Sequence, residues 1–177
     1  MANEAAAEQR TGDYPAFVTG AVLICGPALV ALIGMAPAAA LPVMAKAFDH
    51  HGEGAIIAQN ILTLPSISLI VAAPVSGFLG ERLGRRNVLL AAWALYAVFG
   101  TAGLFAPDAA TLVATRLILG AAGGALLTTS LALIGAFFDG HARERVLGFG
   151  VALSSLLAAG ALTAGGALVD AFGWRAP

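Results

Sequence analysis

Residues 54–107 read GAIIAQNILTLPSISLIVAAPVSGFLG, then ERLGRR, then NVLLAAWALYAVFGTAGLFAP: two uncharged stretches on either side of a short, heavily charged link. Both stretches exceed the ~18 apolar residues that mark a membrane-spanning helix. Neither shows the alternating polar pattern of a barrel strand, and in hydrocarbon only helices and closed barrels satisfy their own backbone. The segment reads as a helical hairpin set in a bilayer. It fixes the fold class as all-α integral membrane.

The same pattern extends in both directions. Tyr14–Ala45 and Val146–Val169 carry no charge, and Ala109–Phe138 is broken only by Arg116. These runs predict a five-helix transmembrane bundle, with helices at about 17–44, 56–80, 88–105, 112–138 and 146–172, preceded by a tail over 1–16. The spacers 49–54, 81–87, 106–110 and 139–144 are too short for a soluble domain. Composition agrees: the 177 residues are 59% hydrophobic and 11% charged, against about 25% charged in soluble domains, and the mean hydropathy is +0.89.

A net charge of -1 offers no basic face, which sets nucleic-acid partners aside. The single cysteine, Cys25, excludes an internal disulfide and a cysteine-based zinc site. Within its apolar run it reads as a small buried hydrophobe. His50 and His51 have no third ligand nearby, so neither a metal nor a cofactor is expected. Residues 1–13 hold one arginine and three acids, which lacks the basic start of a cleavable signal; the first helix is expected to be retained. Short cytoplasmic loops carry the excess of Lys and Arg. With the N-terminus inside, Arg10, Arg82, Arg85, Arg86, Arg143 and Arg145 are internal, and Lys46 and Arg175 external. The expected location is the inner or plasma membrane, with a cytoplasmic N-terminus.

Three segments carry candidate function. In Gly77-Phe78-Leu79-Gly80-Glu81-Arg82-Leu83-Gly84-Arg85-Arg86-Asn87, Gly77 and Gly80 permit close approach of a neighbouring helix. Gly84 can take the positive φ of a very short turn. Glu81 can bridge several guanidiniums. The plainer reading is an ordinary positive-inside loop. Arg116 lies inside an apolar run, where a charge costs at least ~2.5 kcal/mol, and Gly120 and Gly124 follow at four-residue steps on one helix face. The plainer reading there is an arginine snorkelling to the interface. Gly165 and Gly166 close a third segment, where simple close helix packing is favoured. Gln59, Asn60, Ser66, Ser68, Thr128, Thr129, Ser154 and Ser155 can hydrogen-bond a substrate, or more simply other helices. The chain lacks the paired aspartates, serine with histidine, or H-E-x-x-H within an apolar run that intramembrane proteolysis needs, so no enzyme is expected.

The first segment resembles the signature loop of the major facilitator superfamily of secondary transporters, G-x-L-x-D-R-x-G-R-R. Gly77, Leu79, Arg82, Gly84, Arg85 and Arg86 match, and Glu81 replaces the aspartate. The resemblance implies a conformational latch in which Glu81 pairs with Arg85 and meets a helix of the transporter's second half, joined by Asp139. Arg116, Gly120 and Gly124 are similar to the family's R-x-x-x-G-x-x-x-G, whose arginine is associated with proton coupling. Gly165, Gly166 and the Gly173-Trp174-Arg175 exit resemble the fifth-helix antiporter motif, with Ala161 and Leu162 where that motif has Gly and Pro. The implied activity is alternating-access transport of a small molecule, with proton-coupled efflux favoured. Its partners would be the lipid bilayer, the substrate, protons and an absent C-terminal half. Five helices against the family's twelve suggest a truncated N-terminal half. The alternative is a transporter remnant with only a structural or interaction role.

Overall fold

The structure, a computed structural model, describes residues 16–47, 54–102 and 109–172. Among them the chain forms six helical elements and no strand. These are α1 Ala16–Ala38, α2 Leu41–Ala47, α3 Gly54–Leu83, α4 Arg85–Ala102, α5 Ala109–Phe137 and α6 Gly140–Phe172. Three described helices, Gly54–Leu83, Ala110–Phe137 and Gly140–Ala171, are long and apolar enough to cross a membrane, and Gly20–Met35 is a shorter apolar helix. The molecule is an all-α membrane bundle.

The helix boundaries depart from the sequence pattern in three places, one of them the charged hairpin, where only Gly84 of the expected spacer 81–87 lies outside a helix. The run expected as one helix over 17–44 is interrupted at Ala39 and Ala40. Pro42, the second residue of α2, has no N–H to donate back to Ala38, and its ring crowds that carbonyl. The chain turns there through Ala40 N to Pro37 O (3.0 Å) and Met44 N to Ala40 O (2.8 Å). Another departure is at 139–144, expected as a spacer. There α6 begins at Gly140, whose φ of 51° suits the turn after α5, and Arg143 to Arg145 already lie in the helix. Charge marked the water-facing part of that helix, and its backbone did not stop at the membrane boundary. The expected end of the third helix at 105, the tail over 1–15, His50, His51 and the Gly173-Trp174-Arg175 exit all lie outside the described residues.

The bundle is organised around α5, which packs most heavily on α3 and also meets α4, α1 and, slightly, α6. Helix α6 lies chiefly on α1. Two apolar clusters make the core. One joins Ala40, Met44, Ala58, Ile61, Leu112 and Val169; the other, towards the charged hairpin, joins Leu23, Leu89, Ala92, Leu126 and Ile134. α5 contributes to both, so it is the element that fixes where its neighbours sit. Cys25 is exposed, contrary to the buried reading. It shares an outward face of α1 with Ala21 and Val22, and against lipid an apolar thiol on the outside carries no penalty.

Candidate functional site

The contact of α5 with α3 is built from missing side chains. A Cβ added at Gly120 would run into the Pro65 carbonyl oxygen and Ser68 Oγ of α3, and one at Gly124 would lie 2.5 Å from the Leu69 carbonyl oxygen. Gly123, between them, faces Ile33 and Val30 of α1. Three glycines in five residues thus let α5 touch the backbone of one helix and the side chains of another. Pro65 removes one rung of α3's own ladder. Across the same crossing, Ser68 Oγ donates to the Leu117 carbonyl at 2.8 Å, with the Pro65 carbonyl at 3.0 Å. In a membrane such bonds between helices hold what hydrophobicity cannot.

Arg116 stands one turn from Gly120, seven residues into α5 and so about 10 Å along its axis. It is partly buried and engaged within the protein, and Tyr96 of α4 lies within its electrostatic range. Tyr96 donates its hydroxyl to the Leu29 carbonyl of α1 at 2.7 Å. The ring therefore links α1 and α4 beside the arginine. Tyr96 was not singled out from the sequence. The available signal was a tyrosine inside an apolar run, whose buried hydroxyl needs a partner.

The charged hairpin is tighter than its six residues suggest. α3 runs through Leu83 and α4 starts at Arg85, leaving Gly84 alone between them, with a φ of 86°. Only glycine takes that left-handed conformation cheaply. Asn87 closes the turn: its amide side chain donates to the Leu83 carbonyl at 2.9 Å, and its N–H to Gly84 O at 3.1 Å. Arg82 lies over the Phe78 ring, 4.3 Å from the centroid. Arg85 Nη1 donates to the Ala132 carbonyl of α5 at 3.3 Å, and the Arg143 guanidinium comes within 3.5 Å of a Cβ built at Gly135. Two cations therefore gather at the C-terminal end of α5, where the helix dipole favours them.

The expected pairing of Glu81 with Arg85 is not brought together. Glu81, Arg86 and Asp139 are exposed, and among the described residues no ion pair joins Glu81 or Asp139 to an arginine. Arg85 meets the backbone of α5 instead. Gly77 has Thr128 Cγ2 at an ordinary 3.9 Å from its would-be Cβ, whereas Gly80 has Arg85 Cγ at 3.4 Å. In α6, Gly165 is buried, but Gly166 has open space around it. Among the described residues no cluster of three histidine, cysteine or acidic side chains could hold a metal.

Comparison with known proteins supplies an independent assignment. A family model described as the Major Facilitator Superfamily matches residues 23–177. The multidrug efflux pump LfrA of Mycolicibacterium smegmatis is 37% identical over 163 residues, which is 91% of this chain and 32% of that protein. The multidrug resistance protein Stp of Mycobacterium tuberculosis is 31% identical over 137 residues, 77% of this chain and 25% of that protein. The methylenomycin A resistance protein of Streptomyces coelicolor is 31% identical over 121 residues, 68% of this chain and 24% of that protein. The chain spans about a third or less of the length of these relatives.

Proposed function

The chain belongs to the Major Facilitator Superfamily, and on that premise we propose that it forms part of a secondary transporter exporting small organic molecules by alternating access, coupled to protons. Efflux is supported by the relative LfrA, a multidrug efflux pump, and action on more than one compound by LfrA together with the multidrug resistance protein Stp. The observation that carries the coupling is Arg116. Among the described residues it is the one charged side chain set within an apolar helix away from its charged ends, and an intramembrane charge is a functional candidate by its cost. Its neighbours favour motion as much as fixation. The Gly120–Gly124 surface lets α5 and α3 move as one rigid pair, and rocking of rigid units about a midplane site is how such carriers alternate.

In this reading the hairpin has a divided role. Arg85 anchors it to the end of α5, and the exposed Glu81 is left to engage a helix of the transporter's other half, in one state and not in the other. No covalent chemistry is part of the cycle. The arginine distribution supports a cytoplasmic N-terminus, in the inner or plasma membrane.

The test is efflux from cells expressing the chain within its full reading frame and loaded with a fluorescent lipophilic drug. Export should stop when a protonophore collapses the gradient. Arg116→Ala should abolish it at unchanged membrane abundance, and Arg116→Lys should restore part. Gradient-dependent export undiminished in Arg116→Ala would overturn the assignment of coupling. Orientation is read separately in a Cys25→Ala background: Gly84→Cys should be protected from an impermeant outside thiol reagent, and Gly52→Cys labelled. The reverse pattern would invert the topology.

A further inference from the structure

Neither the glycine crossing nor the hairpin accounts for a lateral groove of about 670 Å³ between α3, α4 and α5. Its walls include Val75 and Leu79 of α3, Ala91 and Leu95 of α4, and Ile118 and Ala121 of α5. Alanines form the trough, because α4 and α5 place small residues where their flanks carry leucine and isoleucine. The groove has two polar side chains, and both are already satisfied by backbone carbonyls nearby in the chain. Ser76 donates to the Ala73 carbonyl at 2.8 Å and Asn87 to that of Leu83 at 2.9 Å. Nothing in the trough is left to orient a polar ligand. Its occupant is apolar.

One end of the groove identifies the occupant further. The lining reaches Leu83 and Asn87, inside the hairpin that carries Arg82, Arg85 and Arg86 against the single acid Glu81. The first turn of α4 contains no acid, and the main-chain donor of Asn87 is the first there to be taken up, by Gly84. Helix N-termini with free amides attract anions. Arg85 is already committed to Ala132, which leaves Arg86, and Arg82 from its place over the Phe78 ring, to meet an anionic group. Along α4, Asn87 to Leu95 covers about 12 Å of axis, close to the ~15 Å of hydrocarbon in one leaflet.

We propose that this groove binds one acyl chain of an anionic phospholipid, whose phosphate rests against Arg82, Arg86 and the first turn of α4. The site is separate from the crossing that holds Arg116, and it does not depend on the transport reading. An occupied groove fills the gap between α3 and α4, which touch each other far less than either touches α5. The bound lipid therefore sets the splay of the hairpin.

Native mass spectrometry of the purified chain, titrated with phosphatidylglycerol, phosphatidylcholine or glycerol 3-phosphate, tests this. Phosphatidylglycerol should be retained on the monomer about fivefold more tightly than phosphatidylcholine, as expected for a basic residue or two near one lipid phosphate. Glycerol 3-phosphate, which has the anion without the chains, should not be retained. Ala121→Phe and Ala91→Phe, which fill the trough from different helices, should each abolish phosphatidylglycerol retention while helical circular dichroism is kept; Ala159→Phe on α6 should leave it intact. Arg86→Gln should erase the preference between the two lipids and spare the binding of phosphatidylcholine. Equal retention of both lipids by the unmodified chain would overturn the proposal. So would trough-filled variants that bind as before, retention of glycerol 3-phosphate alone, or a lipid-free dimer that Ala121→Phe converts to monomer.

Discussion

Helices α5 and α6 have nearly the same length and apolarity, yet half of the most apolar window of α5 is buried and only 6% of that of α6. Hydropathy cannot be what separates them. Both are also rich in glycine. The glycines of α5 are filled by a neighbour: Gly120 and Gly124 by the backbone of α3, Gly123 by side chains of α1. Most of those of α6 are not: Gly165 is buried, but Gly148, Gly160 and Gly166 have open space and a Cβ at Gly150 would meet only Ile24, at 3.8 Å. In a membrane, lipid competes with protein for every apolar face, so burial follows close backbone approach and hydrogen bonding between helices. The α5 surface has both; among the described residues no helix backbone comes up against the open glycines of α6.

The sharpest test of this contrast is to put the same side chain on each helix. Gly120→Leu drives a branched side chain into the carbonyl of Pro65 and should cost about 3 kcal/mol, the upper end of overpacking, because backbone yields less than a side chain. Gly166→Leu should stay within about 0.5 kcal/mol. Thermal unfolding in detergent measures both, and equal losses would break the distinction. A smaller contrast compares turn with helix. Gly84→Ala should cost about 1–2 kcal/mol for its left-handed conformation. Gly148→Ala, in open helical surroundings, should gain about 0.5–1 kcal/mol from backbone entropy. Any gain from Gly84→Ala would mean the hairpin tolerates a different turn.

Hydrogen bonds sharpen the comparison at a finer scale. Ser68→Ala removes a bond between helices and should cost about 0.6 kcal/mol. Ser155→Ala removes only a bond to Val151 of its own helix, and should be nearly neutral. If the two match, the Ser68 bond to Leu117 contributes nothing beyond its own turn. The smallest effect belongs to charge: Arg85→Gln should lose about 0.3 kcal/mol at the dipole end of α5, diminishing with added salt. Arg145→Gln, exposed on α6, should show no such salt dependence.

Much of this was legible in advance for physical reasons that can be stated residue by residue. Uncharged runs longer than a bilayer demand helices, whatever their neighbours. Gly84, alone between charged residues, marks a turn because a positive φ is cheap only without a Cβ. The four-residue spacing of Arg116, Gly120 and Gly124 is visible in the sequence; the identity of the backbone lying against them is not. Pro42 ended α1 earlier than hydropathy implied, since hydropathy is blind to a missing N–H. The Glu81–Arg85 pair was implied by the resemblance of the loop, yet a carbonyl of α5, forty-seven residues away, takes up Arg85. Tyr96 was passed over because its partner, the Leu29 carbonyl, carries no sequence signal.

The sequence by itself determined the solvent, the secondary structure and the family, because each depends on local properties: charge spacing against bilayer thickness, and short motifs of glycine and arginine. Only the tertiary structure decided which apolar faces become interior, where Arg85 is anchored, and that an alanine trough opens between α3, α4 and α5 beside a basic hairpin. Those outcomes rest on contacts between helices of equal hydropathy. Their energies come from close approach, side-chain fit and hydrogen bonds across the crossing, none of which a single helix possesses before it meets another.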